Sequence, residues 1–155
     1  PTQQIRSFGV KLKHNINKSL VKNKSLILID DSLVRGTTSV KIIKMLYEVG
    51  VKEIHLRIAS PPIKYPDYYG VDTPNQNELL ASKFNIEEIR KFINATTLKF
   101  LSIEGLYKSL GYEKRNSSYP QFTDHCFTGD YPVEPIDANN KNFVNDQISL
   151  MSSKH

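Results

Sequence analysis

The stretch that decides the fold runs from Ile27 to Ser39 and reads Ile-Leu-Ile-Asp-Asp-Ser-Leu-Val-Arg-Gly-Thr-Thr-Ser. The apolar run from Leu26 to Ile29 shows no alternation, which predicts a strand of a parallel sheet that is covered on both faces. Because such a strand has no room for charge, we expect Asp30 and Asp31 where it leaves the core, at its carboxyl end. Open α/β sheets bind their ligands at that end.

Glycine and hydroxyl side chains follow the two acids and lead into a helix. The residues Gly36 to Ser39 precede an apolar pattern at helical spacing from Val40 to Val49, and Gly50 is expected to end the helix. Backbone N–H groups at a helix N-terminus, together with the helix dipole, can bind a phosphate dianion. The neighbouring carboxylates repel each other, and hydroxyl donors, a hydrated Mg²⁺ ion or both would relieve that repulsion.

Each of these features also has a plain structural explanation. Two aspartates after a strand often form only a solvated turn, and Thr-Thr-Ser often serves only as a helix cap. Their combination in this order favours a sugar-phosphate site over the structural explanation.

The segment from Ile27 to Thr38 resembles the phosphoribosyl-pyrophosphate (PRPP) motif of type I phosphoribosyltransferases, and the wider chain resembles the glutamine PRPP amidotransferases. The segments that carry the second resemblance are Asp30 to Ser39, Ser60-Pro61-Pro62-Ile63, Tyr69 to Pro74, Glu78-Leu79-Leu80-Ala81, Glu87-Glu88-Ile89-Arg90 and Cys126-Phe127-Thr128-Gly129. The resemblance implies an α/β protein with a partial, parallel-sheet type I phosphoribosyltransferase-like fold and a helical C-terminal region.

The resemblance also implies an activity and a set of binding residues. Enzymes of this family hydrolyse glutamine in one domain, and in another the ammonia displaces pyrophosphate from PRPP to give 5-phosphoribosylamine, in the first committed step of purine synthesis. By this resemblance Asp30 and Asp31 bind the ribose hydroxyls and Mg²⁺, and Arg35 to Ser39 bind the 5-phosphate. The complete set of expected PRPP-binding residues is Asp30, Asp31, Ser32, Arg35, Gly36, Thr37, Thr38 and Ser39. No covalent nucleophile is required, so no catalytic residue is assigned.

The resemblance covers only the later half of the second domain. The chain begins at Pro1, and its first residues resemble the stretch just after the family's mobile active-site loop. We therefore expect the glutaminase domain, the pyrophosphate-binding loop and the closing loop to be missing, with weak substrate binding and no glutamine-dependent turnover by this polypeptide alone. The missing half would be its partner if the gene is split, the full enzyme is expected to be a homo-oligomer, and purine nucleotides are possible further ligands.

Some members of the family hold a [4Fe–4S] cluster through four thiolates. This chain has a single cysteine, Cys126, at one ligand position; Thr123 and Asp67 stand where two other cysteines would lie. No iron–sulfur cluster is expected. A lone cysteine is typical of a reduced, cytoplasmic protein, and Cys126 is predicted to be a small half-buried side chain.

Charge is unevenly distributed along the 155 residues. Residues 1–60 carry a net charge of +7 and residues 61–155 a net charge of −2. The basic half contains the predicted phosphate site, although its lysines are equally well explained as a solvated face. No stacking platform for nucleic acid and no membrane-spanning segment is evident. A non-catalytic PRPP- or nucleotide-binding remnant is the alternative function, with a basic nucleic-acid-associated protein a distant third.

The apolar pattern of the rest of the chain predicts further strands and helices and a boundary between a folded portion and a tail. These are a strand from Glu53 to Ala59, a short helix around Asn77 to Lys83, a helix from Ile86 to Ile93 with Ile86, Ile89, Phe92 and Ile93 on one apolar face, a strand from Leu98 to Leu101 and a helix from Ile103 to Leu110. Asn85 and Glu88 are spaced as a capping box, and His55 is expected to be structural. Residues 1–136 are assigned to the phosphoribosyltransferase portion, and residues 137–155 to a polar, mobile tail.

Overall fold

A computed structural model describes residues 16–70, 73 and 75–133 of the chain. Within these residues a parallel sheet in the order β1-β2-β3 contains β1 (Ser25–Asp30), β2 (Glu53–Ile58) and β3 (Thr97–Phe100). Leu28 lies opposite Leu56, and Leu56 lies opposite Leu98. The predicted parallel α/β architecture is therefore confirmed.

Helices connect and flank these strands. Their bounds are α1 (Lys18–Val21), α2 (Thr37–Glu48), a 3₁₀ turn (Gln76–Glu78), α3 (Leu80–Lys83), α4 (Ile86–Ile93), α5 (Ile103–Ser109) and α6 (His125–Thr128). The capping box at the start of α4 is confirmed, because Glu88 N–H donates to Asn85 Oδ1 over 3.0 Å and Asn85 N–H donates to Glu88 Oε2 over 2.8 Å. Ser102 likewise caps α5 by accepting from Gly105 N–H over 2.9 Å.

The core lies against one face of the sheet. Ile54, Leu56 and Ile58 of β2 alternate with half-buried residues and are nearly inaccessible to solvent. They pack in one cluster with Ile43 and Leu46 of α2 and with Ile89 and Ile93 of α4. Both helices therefore cover the same face of the sheet, as the alternation of β2 predicts.

The prediction that β1 is covered on both faces is wrong for the described residues. Ile27 and Ile29 expose 70% and 72% of their surface, while Leu26 and Leu28 on the opposite face are half-buried against the core. The helices α2 and α4 pack on the opposite face, and within the described sheet β1 pairs with β2 alone. An unbroken apolar run predicts a strand, but it does not determine which of its faces the described elements cover.

The apolar face predicted for α4 is correct only in part. Ile89 and Ile93 are buried in the core cluster, whereas Ile86 and Phe92 lie outside that cluster and remain 48% and 54% exposed. The assigned tail, residues 137–155, lies outside the described residues. No helix in the described part of the chain is both long and apolar enough to cross a bilayer.

Candidate functional site

The segment that joins β1 to α2 forms a concave pocket at the carboxyl end of β1. The pocket has a volume of about 300 Å³, and every residue from Asp30 to Ser39 lines it. Leu33 anchors the segment, because its side chain is buried in the hydrophobic core. The eight residues expected to bind PRPP therefore lie together around one cavity.

Gly36 shapes the turn into α2. It is the N-cap residue and adopts a left-handed conformation, with φ +72° and ψ −4°. A Cβ atom at this position would lie 2.5 Å from Leu80 Cδ1 and 3.3 Å from Phe92 Cε1. Glycine is therefore required both by its backbone angles and by the close approach of the Leu80 side chain.

The first turn of α2 contributes hydroxyl groups to the pocket. Thr37 and Thr38 are exposed, whereas Ser39 is 3% exposed and faces the core side of the helix. The first N–H groups of a twelve-residue helix have no partner within the helix and carry the positive end of its dipole. The pocket therefore combines backbone donors and two accessible hydroxyls, which is a suitable surface for a phosphate group.

Asp30 and Asp31 lie beside this turn, at the end of β1. Asp31 N–H donates to Asp30 Oδ1 over 3.1 Å, and Ser32 Oγ donates to Asp31 Oδ1 over 3.1 Å. Asp31 is exposed and Asp30 is half-buried, so both carboxylates remain accessible from the pocket. Two accessible carboxylates next to the first turn of α2 offer the hard oxygen ligands that Mg²⁺ prefers.

Arg35 makes a contact that the sequence did not reveal. Its Nε–H donates to Glu78 Oε2 over 2.7 Å, and both side chains are about half exposed. Leu80 N–H also donates to the carbonyl oxygen of Val34 over 3.0 Å. The segment from Glu78 to Leu80 therefore supports the pocket from a position more than forty residues further along the chain, which no local spacing can indicate.

His55, expected to be structural, lies away from the pocket. Its Nδ1 is 3.0 Å from Thr97 Oγ1, and Arg57 Nη1 donates to the same hydroxyl over 2.9 Å. Its Nε2 is 3.7 Å from Glu53 Oε2. These contacts link β2 to β3 across the face of the sheet that carries Ile27 and Ile29.

Comparison with known proteins identifies relatives along nearly the whole chain. No family model matches it. The chain is 52% identical to an amidophosphoribosyltransferase of Rhizobium etli over 154 residues, which is 99% of this chain and 31% of that protein. It is 48% identical to a chloroplastic amidophosphoribosyltransferase of Arabidopsis thaliana over 96% of this chain and 26% of the relative.

A solved structure shows the same fold. The glutamine PRPP amidotransferase of Bacillus subtilis, complexed with ADP and GMP, superposes with a TM-score of 0.73 and 46% sequence identity over 86% of this chain and 29% of that chain. This chain therefore spans less than a third of the length of these relatives. Sequence and fold together show that it matches the C-terminal phosphoribosyltransferase region of the amidophosphoribosyltransferase family.

Proposed function

We propose that this chain supplies the ribose 5-phosphate subsite of an enzyme that forms 5-phosphoribosylamine from PRPP and glutamine-derived ammonia. The observation that carries the proposal is the pocket from Asp30 to Ser39, which places two carboxylates beside a left-handed glycine and the N-terminus of a long helix. The relatives bear the corresponding name, but the chain spans less than a third of their length, so the complete activity belongs to the proposal.

The phosphate would bind at the first turn of α2. Thr37 and Thr38 expose their hydroxyls there, and the terminal N–H groups of the helix supply further donors. Gly36 allows the left-handed turn that begins α2 and fits against the Leu80 side chain, which sets the direction of the N–H groups of the first turn. Arg35 is held by Glu78, so we assign it a role in shaping this turn in addition to balancing the phosphate charge.

The ribose would lie toward the two acids. Asp30 and Asp31 would accept hydrogen bonds from the ribose hydroxyls and would hold Mg²⁺, whose contribution is to neutralise charge on the pyrophosphate group. Ser32 would steady Asp31, to which it already donates a hydrogen bond. Substitution at the ribose C1 atom needs a fixed sugar and a stabilised leaving group more than it needs a protein nucleophile.

A nucleoside 5′-monophosphate presents the same ribose 5-phosphate group as PRPP. We therefore propose that purine nucleotides compete for this pocket. The alternative function, a non-catalytic PRPP- or nucleotide-binding remnant, predicts the same ligands. The two functions differ in one outcome: the remnant would form no phosphoribosylamine even when it is combined with the missing part of the enzyme.

Calorimetric titration with ribose 5-phosphate, with and without Mg²⁺, tests the proposal. We expect Thr38→Val to weaken binding whether or not Mg²⁺ is present, because it removes a phosphate donor. We expect Asp31→Asn to remove most of the Mg²⁺-dependent part of the binding. Asp130→Asn is the matched control, because it removes an acid that is 57% exposed and outside the pocket. Equal binding by the parent chain and all three variants, or no binding by the parent chain, would overturn the assignment of the pocket as a ribose 5-phosphate site.

A further inference from the structure

Three potential metal ligands converge in a part of the molecule that shares no residue with the phosphate pocket. Asp67 lies in the loop after β2, and His125 and Cys126 begin α6. Asp67 Oδ2 lies 2.7 Å from His125 Nε2 and 3.6 Å from Cys126 Sγ. The donor atoms of all three residues lie within 4.8 Å of one another.

These side chains are well shielded and held in place. The side chains of His125 and Asp67 are 2% and 6% exposed, and Cys126 is half-buried. Asp67 is held from its other side, because Tyr69 N–H donates to Asp67 Oδ1 over 2.7 Å and Asp67 N–H donates to Thr73 Oγ1 over 2.6 Å. A carboxylate fixed through one oxygen, with the other directed at an imidazole and a thiol, has the support that metal ligands usually receive.

Metal binding would change the position of the proton on the His125 ring. His125 Nδ1 is buried and has no hydrogen-bond partner in the described structure. If a metal takes the lone pair of Nε2, a metal bond replaces the hydrogen bond between Nε2 and Asp67, and the ring proton resides on Nδ1, which has no hydrogen bond to lose.

We propose that Asp67, His125 and Cys126 form a mononuclear site for Zn²⁺. One oxygen, one nitrogen and one sulfur are all ligands that zinc accepts in proteins. Tetrahedral zinc, with bonds of about 2.0 Å to oxygen and nitrogen and about 2.3 Å to sulfur, separates its ligand atoms by roughly 3.3–3.5 Å. The distance from Asp67 Oδ2 to Cys126 Sγ already fits, and Nε2 has to move away from Oδ2 by about 0.6 Å.

Charge and proton balance also favour a divalent ion. On binding, the thiol of Cys126 releases one proton to solvent and its sulfur bonds to the metal, while the imidazole proton moves from Nε2 to Nδ1. One carboxylate and one thiolate then neutralise the two positive charges, so the shielded site carries no net charge. The fourth position remains for water or another ligand. This site differs from a [4Fe–4S] cluster, which requires four thiolates, and it does not depend on the proposed function.

Cobalt substitution provides a direct test, because Cys126 is the only cysteine in the sequence. Titration of the purified chain with Co²⁺ should produce a thiolate-to-cobalt charge-transfer band that saturates at one ion per chain and disappears when Zn²⁺ is added. Any such band must come from Cys126. Zn²⁺ should also raise the denaturation midpoint of the parent chain, because it binds the folded state.

Variants distinguish this site from nonspecific metal binding. Cys126→Ser should abolish the band, and Asp67→Asn should weaken Zn²⁺ affinity by about 100-fold. His55→Gln is the matched control, since it removes a histidine that lies in β2, and it should bind like the parent. The proposal is overturned if the parent chain shows no charge-transfer band at stoichiometric Co²⁺, or if Asp67→Asn binds Zn²⁺ as tightly as the parent; the cluster would then be a hydrogen-bonded link alone.

Discussion

Arg35 Nε donates to Glu78 Oε2 over 2.7 Å and thereby links the turn that begins α2 to the 3₁₀ turn before α3. The backbone repeats this link, because Leu80 N–H donates to the carbonyl oxygen of Val34. The Leu80 side chain also occupies the space beside Gly36. The shape of the pocket therefore depends on residues that are distant in the sequence.

Glu78→Gln should loosen the turn without unfolding the protein. Exposed ion pairs contribute about 0.2–1 kcal/mol, so we expect ribose 5-phosphate binding to weaken by a factor between about 1.4 and 5. Faster hydrogen exchange at the Arg35 amide should accompany the loss. Glu87→Gln is the control, because Glu87 forms a similar pair with Arg90 over 2.6 Å in α4. Equal effects of the two substitutions would show that Glu78 does not support the pocket.

Gly36→Ala should destabilise the fold more than Gly111→Ala. Both glycines have positive φ angles, which add strain of about 1–3 kcal/mol to any other residue. A Cβ at Gly36 would also collide with Leu80, whereas a Cβ at Gly111 meets nothing within 4 Å. We expect the free energy of unfolding, measured in urea, to fall by at least about 1 kcal/mol more for Gly36→Ala. A larger loss for Gly111→Ala would contradict this packing.

Asp124 should make the protein sensitive to acid. Burial alone would raise the pKa of this carboxyl, but hydrogen bonds from Arg115 and Tyr107 outweigh burial and hold it below its usual value. Because the folded-state pKa is lowered, Asp124 stabilises the fold at pH values above its unfolded-state pKa of about 3.9. That contribution is lost as the pH falls through the lower folded-state pKa.

Asp124→Asn should therefore reduce the free energy of unfolding at pH 7 by about 3 kcal/mol and flatten its dependence on pH below about pH 4. Asp130→Asn is the control, since Asp130 also accepts from Arg115 but is 57% exposed, and it should change stability by less than about 1 kcal/mol. Urea denaturation across the acid range measures both variants. An unchanged pH profile for Asp124→Asn would refute the ion-pair explanation.

Ile27→Ser tests the exposed face of β1. The side chain is 70% exposed, so we expect the free energy of unfolding to change by no more than about 0.5 kcal/mol. Leu56→Ala, in the fully buried part of β2, should reduce it by about 2–5 kcal/mol. A comparable loss for Ile27→Ser would show that this face of the sheet is covered in solution.

Much of the fold could be predicted from local patterns. The alternation in β2 and the capping box of α4 depend on neighbouring residues, so the sequence contains the information that places them. The pocket was predicted for the same reason, because an apolar strand, two acids, a glycine and a helix follow one another without interruption. Elements of this kind are determined within a few residues.

Other features depend on distant contacts and were missed. The pairing of Arg35 with Glu78 and the approach of Asp67 to His125 span 43 and 58 residues, and no periodicity indicates them. The short helix α6 was not predicted, because its four residues provide less than two turns of pattern. The exposure of Ile27 and Ile29 was missed because an apolar run does not show which face neighbouring elements cover.

The central claim is that the turn from Gly36 to Thr38 binds the 5-phosphate of a phosphorylated ribose. Nuclear magnetic resonance of the backbone amides tests it most directly, with ribose 5-phosphate added to the labelled chain. We predict saturable shifts of the Gly36, Thr37 and Thr38 amides, with the amide of Gly111, which lies outside the pocket, unchanged. Saturable shifts confined to residues outside the pocket, or no shifts at any ligand concentration, would contradict the account.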